Sequence, residues 1–207
     1  MRAAYDAVAA DYAEAFADDL VGLPVDRAVL DDVLARTTAG PEPLVLDLGC
    51  GPGQVGDYLS QRGARVVGAD LSPNMLAVAR RRTGRASFAG ADMRALPFPP
   101  ATFAAVVAYY SVQHVPRSDL GAVLDEVGRV LIGGGLFALA THLGQGDVVT
   151  TDFLGHQVEP VAGALYQREE LETALADHQF TTEVARERGP QPNEHQSQRI
   201  YLIARRR

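Results

Sequence analysis

A chain of 207 residues with 47% hydrophobic and 22% charged residues is long enough for one substantial core and too apolar for a disordered segment. A formal net charge of −7 sets up no whole-molecule attraction to nucleic acid or an anionic membrane, no apolar run is long enough to span a bilayer, and the start carries no signal-peptide pattern. The single cysteine excludes an internal disulfide framework, and the absence of lysine (all 19 basic residues are arginine) excludes Schiff-base chemistry and a P-loop.

Residues 3–19 read as an amphipathic helix with Tyr5, Val8, Tyr12 and Phe16 on one face, followed by a helix over 24–36 and a breaker-rich loop from Thr37 to Pro43. Leu44 to Leu48 is a buried strand. The helix after the next glycine turn directs Val55, Tyr58 and Leu59 to a sheet. Arg65 to Ala69 is the second strand, and Ser72-Pro73 opens a helix with a capping residue and a proline at its first position. Ala86 to Ala89 is a third strand and Phe103 to Tyr109 a fourth, its unbroken apolar run implying burial on both faces. A helix from Leu120 to Leu131 ends at Gly133-Gly134-Gly135, and Leu136 to Ala140 is the fifth strand. Residues 142–166 show little periodicity and read as a loop or substrate lid. A helix over 168–178 and strands over 180–186 and 199–204 complete the chain. The last connection has no room for a helix, so those two strands pair antiparallel. The fold expected is one α/β domain over 1–207, a Rossmann-like, doubly wound, mainly parallel seven-stranded sheet with helices on both faces. Its ligands belong at the carboxyl ends of the strands.

The run Leu44-Val45-Leu46-Asp47-Leu48-Gly49-Cys50-Gly51-Pro52-Gly53, followed by Val66-Val67-Gly68-Ala69-Asp70, carries most of the chemistry. Its glycines let the backbone approach a ligand closely, and Asp70 stands at a strand end where a carboxylate accepts both hydroxyls of a ribose. Gly51 to Gly56 formally satisfies the dinucleotide pattern G-x-G-x-x-G. Asp47, two residues before Gly49, opposes that reading: a carboxylate there works against a pyrophosphate and suits a ligand presenting an ammonium and a sulfonium.

This run resembles motif I of class I S-adenosylmethionine-dependent methyltransferases, in the superfamily of the ubiquinone and menaquinone methyltransferases, and the resemblance extends through most of the chain. Tyr5-Asp6-x-x-Ala9-x-x-Tyr12-x-x-x-Phe16 is similar to that family's N-terminal helix, which implies that residues 1–40 close over the cofactor and that Tyr12 faces its methionine end. The resemblance assigns the ribose to Asp70, packing against adenine to Leu71, and the adenine edge to the Asp92 side chain and the Met93 main chain, within Gly90 to Phe98. Ala108-Tyr109-Tyr110-Ser111-Val112-Gln113-His114-Val115-Pro116 resembles a subgroup with Tyr-Ser-x-x-His-x-Pro at the methyl mouth. Cofactor contacts are thus expected from Tyr12, Asp47, Gly49, Cys50, Gly51, Gly53, Asp70, Leu71, Asp92, Met93, Tyr110 and His114. The Asp/Asn-Pro-Pro-aromatic tetrad of many nucleic-acid methylating relatives is absent. Asp70→Ala is expected to weaken cofactor binding and to leave the fold intact.

The histidines supply the candidates for a base. His142 lies just past the fifth strand, where a base would meet a substrate hydroxyl, and His156 lies within the 142–166 segment. No histidine or cysteine has metal-ligand spacing, so no metal is expected. The reading is a cytoplasmic bacterial enzyme, monomer or homodimer, that moves a methyl group from S-adenosylmethionine to an O, N or C nucleophile of a small molecule, with neither nucleic acid nor membrane as partner. The alternative is an S-adenosylmethionine-binding protein of the same fold that has lost methyl transfer and acts as a cyclase or scaffold.

Overall fold

In the computed structural model, residues 1–16, 19–38, 40–192 and 194–207 are described. Seven strands form the central sheet: β1 (Leu44–Leu48), β2 (Arg65–Asp70), β3 (Ala86–Gly90), β4 (Phe103–Tyr109), β5 (Leu131–Leu143), β8 (Phe180–Arg188) and β9 (Gln198–Arg206). Their spatial order is β3-β2-β1-β4-β5-β9-β8, with a separate two-stranded sheet of β6 (Asp147–Phe153) and β7 (His156–Ala164). The first five strands of the large sheet pair parallel, and β9 pairs antiparallel with both β5 and β8. The switch in strand order between β1 and β4 opens a crevice at their carboxyl ends.

Helices cover both faces, which is why β4 is buried along its whole length. Alternate strand residues feed two cores. Leu46, Val106, Phe137 and Leu139 face α6 (Leu120–Val130) and α7 (Arg168–Asp177), and Val45, Val107, Ala138 and Tyr201 face α3 (Pro24–Arg36) and α4 (Gln54–Gln61). The helix read over 3–19 is observed as α1 (Arg2–Ala15); positions 17 and 18 lie outside the described residues, and the short α2 (Asp19–Gly22) follows. α5 (Pro73–Arg82) is capped as expected, the Ser72 hydroxyl accepting from the Met75 N–H at 3.1 Å.

Two elements differ from the sequence reading. β5 starts at Leu131 rather than Leu136, because Leu131 pairs with Phe103 and Leu136 with Ala105, and Ile132 to Gly135 are absorbed in an irregularity of the ladder. The 142–166 segment, read as a loop, is mostly the β6–β7 hairpin, closed by a two-residue turn in which Leu154 (φ 54°) and Gly155 (φ 79°) both take left-handed backbone angles. Most of this hairpin's side chains are exposed, so no apolar alternation marks its strands. Its signal is β-branched content, Val148-Val149-Thr150-Thr151, ahead of a glycine turn. Among the described residues no helix is long and apolar enough to cross a membrane.

Candidate functional site

The crevice at the carboxyl ends of β1, β2 and β4 is a cleft of about 400 Å³. Of the twelve residues expected to touch the cofactor, all but Gly53 line it. Gly53 instead begins α4 with φ 87°, close under Ala79.

The glycine turn has a steric reason at Gly49. Its φ is 73°, and a Cβ there would stand 2.3 Å from the Ser111 Cβ, whose hydroxyl donates to the Leu48 carbonyl at 2.8 Å. At Gly51 (φ 51°) an added Cβ would meet nothing within 4 Å, so the backbone faces open space on the cleft side. Asp70 ties this turn together. One carboxylate oxygen accepts the Gly51 N–H and the other the Ser72 N–H, each at 2.8 Å. Each oxygen keeps a lone pair, which is what two vicinal hydroxyls require. The same bonds correct the expectation for Asp70→Ala, since the substitution strips two backbone N–H groups of their acceptor and disturbs the turn as well as the ligand contact.

Asp47 is 1% exposed, and its Oδ2 has no hydrogen-bond partner. Burial raises its carboxyl to about 7; the Gly56 backbone pulls the other way and the charge of Asp70 adds to the rise. Asp47 lines the cleft, and a buried acid with an unpartnered oxygen there favours a cation or a donor beside it. Together with the open space at Gly51 and the spare lone pairs of Asp70, it fits the ammonium, sulfonium and ribose of S-adenosylmethionine. The Cys50 thiol beside it is pushed well up by burial and is unreactive. Asp92 also lines the cleft, yet its carboxylate is forked by Arg94, at 2.7 Å through Nη2, and that partner holds it below the usual carboxylate range. Any ligand bond to Asp92 is shared with Arg94.

The opposite wall is a clasp. Asp6 of α1 accepts from the Ser72 hydroxyl at 2.5 Å and from the Asn74 N–H, fixing α1 on the N-terminus of α5. The rings of Tyr5 and Tyr12 meet Phe153 of the hairpin edge-on at 5.4 and 5.8 Å. His114 joins the parts: its Nδ1 lies 3.1 Å from the Ala162 carbonyl and its Nε2 2.8 Å from the Tyr5 hydroxyl. A carbonyl only accepts, so the proton is on Nδ1 and Tyr5 donates to Nε2. Burial lowers the His114 pKa, which favours the neutral ring.

At the far end, Tyr110 carries a left-handed φ of 51°, a strained angle for an aromatic residue. Its hydroxyl lies 2.7 Å from that of Tyr201 and 3.1 Å from Asp26 Oδ1, while Tyr201 donates to Asp26 Oδ2 at 2.8 Å. Arg188 completes this buried network at 3.3 Å from Asp26. Tyr5 and Ser111 fall in runs that the sequence singled out but were given no contact of their own; Asp26, Arg188 and Tyr201 were missed, and only the Tyr109-Tyr110-Ser111 run hinted at the network. The two candidate bases separate. His142 packs on Tyr110 with ring centres 5.3 Å apart, behind the cleft lining. His156 instead lies against Asp11 at 2.5 Å on the outside of the clasp. Among the described residues no group of three or more His, Cys, Asp or Glu is placed to hold a metal.

Residues 45–135 match the family described as a methyltransferase domain. The chain is 32% identical over 153 residues to the malonyl-[acyl-carrier protein] O-methyltransferase of Enterobacter lignolyticus, covering 73% of this chain and 60% of that one. It is 38% identical over 101 residues to the 18S rRNA (guanine-N(7))-methyltransferase of Bos taurus, 44% of this chain and 36% of that one. The chain therefore spans less than two thirds of these curated relatives. A SAM-dependent methyltransferase of Methanosarcina mazei shares the fold with a TM-score of 0.74 at 19% identity, over 84% of this chain and 96% of that one.

Proposed function

Because this chain carries a class I S-adenosylmethionine-dependent methyltransferase domain, we propose that it transfers a methyl group from that cofactor to an O, N or C nucleophile of a small molecule. The observation that carries the reading is Asp47, a buried acid lining the cleft with one unpartnered oxygen, beside the open glycine turn and the half-satisfied Asp70.

S-adenosylmethionine supplies a methyl group already activated on a sulfonium, so the protein's task is alignment and exclusion of water, and alignment contributes about 7–11 kcal/mol when a near-attack geometry is held. Asp47 balances the positive end of the cofactor, and Asp70 receives the ribose. Leu71 and Met93 offer apolar flanks for adenine. The N-terminal helices within 1–40 cover the cofactor, and the 142–166 hairpin covers the acceptor, with Tyr5, His114 and Phe153 closing the seam against water. Tyr110, held by Asp26 and Tyr201, forms the polar floor at the methyl end. The net charge of −7 favours a small acceptor over a polynucleotide, whose phosphates such a surface repels.

Isothermal titration with S-adenosylmethionine and S-adenosylhomocysteine, with NAD as control, tests the reading. Micromolar binding of the first two and none of NAD is expected. Binding of NAD, or of none of the three, overturns it. Binding without transfer to any of a broad acceptor panel points instead to a cofactor-binding protein of the same fold.

A further inference from the structure

We propose that Arg117 is the positioning residue that makes the β6–β7 hairpin the fixed jaw of the clasp, so that the clasp opens by movement of α1. The mechanical part is independent of any ligand; its consequence for cofactor retention rests on the methyltransferase reading.

Arg117 follows directly on Val115 and Pro116, which line the cleft. Its guanidinium grips the root of the hairpin from both sides: Nη2 donates to the Leu165 carbonyl and, at 3.2 Å, to the Gly146 carbonyl. These two residues close the root, the Leu165 N–H donating to the Gly146 carbonyl at 2.9 Å. Nη1 donates to Glu170 in the first turn of α7, Nε lies 3.7 Å from Asp147, and the group stands 4.8 Å over the Tyr166 ring. Without that grip the entry to the hairpin would turn on Gly144 and Gly146, glycines at φ 156° and 74°. A side chain that bonds two carbonyls and a carboxylate at once is a bracket. The planar fork of a guanidinium suits that task and a lysine ammonium does not.

The two jaws differ in what they bury. Ala164 and Tyr166, where the hairpin returns, belong to the core under α7 together with Leu139, Leu171 and Leu175. α1 buries only Ala4, Val8 and Ala9, and none of these belongs to either core of the sheet. Its ties are the Asp6 bonds to the start of α5 and the contacts of Tyr5, Tyr12 and Asp11 along the seam. Burial of three small side chains stabilises far less than a share in the core, so α1 is the jaw that leaves. The hairpin acts on the cleft through residues that line it. Phe153 abuts Tyr5 and Tyr12, and the Ala162 carbonyl holds the Nδ1–H of His114 at 3.1 Å. By fixing the hairpin, Arg117 fixes the ring of His114, and with it the wall against which Tyr5 closes.

Hydrogen exchange and imidazole nitrogen NMR of the free protein test the mechanical part. Arg117→Met removes every donor and keeps a side chain of similar length. Amides of β6 and β7 should then exchange about 10-fold faster or more, with those of β1 and β4 unchanged. His114 should pass from the Nδ1–H form to a mixture of tautomers, a change that lowered stability alone does not produce. Tyr5→Phe should speed exchange in α1 and leave β6 and β7 as they are. Should the methionine variant not fold, Arg117→Lys, which keeps the charge and loses the fork, serves the same comparison. Unchanged hairpin exchange in the Arg117 variant, or equal loosening of the hairpin by Tyr5→Phe, overturns the fixed jaw. So does a loss of protection spread equally over β1 and β4. With S-adenosylhomocysteine bound, Arg117→Met should speed release about 3- to 10-fold in stopped flow and leave association nearly unchanged. An unchanged release rate overturns the link to the cleft. Failure of the wild type to bind S-adenosylhomocysteine defeats the methyltransferase reading instead and leaves the exchange result standing.

Discussion

On the sheet side of the cleft, Asp70 holds the glycine turn by two backbone N–H bonds and Gly49 sits hard against Ser111. On the clasp side, α1 and the β6–β7 hairpin meet through aromatic edges and the bonds of His114 and His156. Polar groups on the first side are positioned by chain segments that the large sheet already fixes. Those on the second depend on two elements that share no ladder with that sheet. Under the proposed function the first wall is thus preorganised for the cofactor, and the second can separate without breaking the core.

The contrast is broken most directly at Gly49. Gly49→Ala should destabilise the protein by about 3 kcal/mol or more, since it adds a clash to an unfavourable φ. Cofactor titration should show no binding at any temperature where the variant is folded. Combining it with Ser111→Gly removes the clash and should recover part of the stability in thermal unfolding, but not all, because the backbone strain stays. A Gly49→Ala protein with unaltered melting would mean that the turn is not rigid.

Asp47 gives the next largest effect, and with a sign that distinguishes the free from the loaded site. Its carboxyl rises from 3.8 to about 7. The stability it contributes to the free protein is therefore fully present below 3.8 and is lost as pH rises through about 7, since the folded chain keeps the extra proton in that window. Affinity for a cationic ligand runs the other way and should fall as pH drops below about 7. His142, pushed down to about 4 by burial and by Arg199, contributes stability that is full above its ordinary 6.5 and lost as pH falls toward 4. The difference between wild type and Asp47→Asn isolates the first group from the second. That variant should weaken S-adenosylmethionine binding about 10- to 100-fold and flatten the pH dependence of its titration.

Legibility in the sequence follows the same division. β1, the glycine turn and Asp70 are written in one contiguous stretch, because strand, turn and strand end are local and their apolar runs are buried on both faces. Asp26, Arg188 and Tyr201 meet from α3, β8 and β9, and a single chain says nothing of which distant residues share a core. Nor does Tyr5–His114 show itself across 109 residues. The hairpin escaped because its exposed faces leave no alternation to read. His142, just past the fifth strand, and His156, within the 142–166 segment, were both candidates for the base, and only the hairpin's fold carries His156 to the outer surface.

A sharper probe of the clasp is Tyr5→Phe, which removes the donor to His114 Nε2 and leaves the ring edge-on against Phe153. A part-buried bond of this kind contributes about 0.5–1.5 kcal/mol, so cofactor affinity should fall about 3- to 10-fold, read as faster release in stopped flow. Association should change little, because the glycine turn and Asp70 receive the ligand before the clasp closes. An equal loss in both rates would place Tyr5 on the rigid wall with Asp70.

The smallest effect belongs to the outermost contact. His156 and Asp11 join hairpin to α1 at 2.5 Å, but their side chains are 43% and 55% exposed. Solvent competes for such an exposed contact, which is an ion pair only where His156 is protonated, and exposed ion pairs contribute about 0–1 kcal/mol. Asp11→Asn should leave the melting temperature nearly unchanged and alter cofactor release less than Tyr5→Phe does. Where His156 is protonated, raising the salt concentration should erase what difference remains. If Asp11→Asn instead matched Tyr5→Phe and resisted salt, the seam would be held from its rim, and the aromatic contacts of Tyr5, Tyr12 and Phe153 would be the dependent part. The graded loss expected here, from rim to ring to glycine turn, is what a flexible cover on a fixed floor requires.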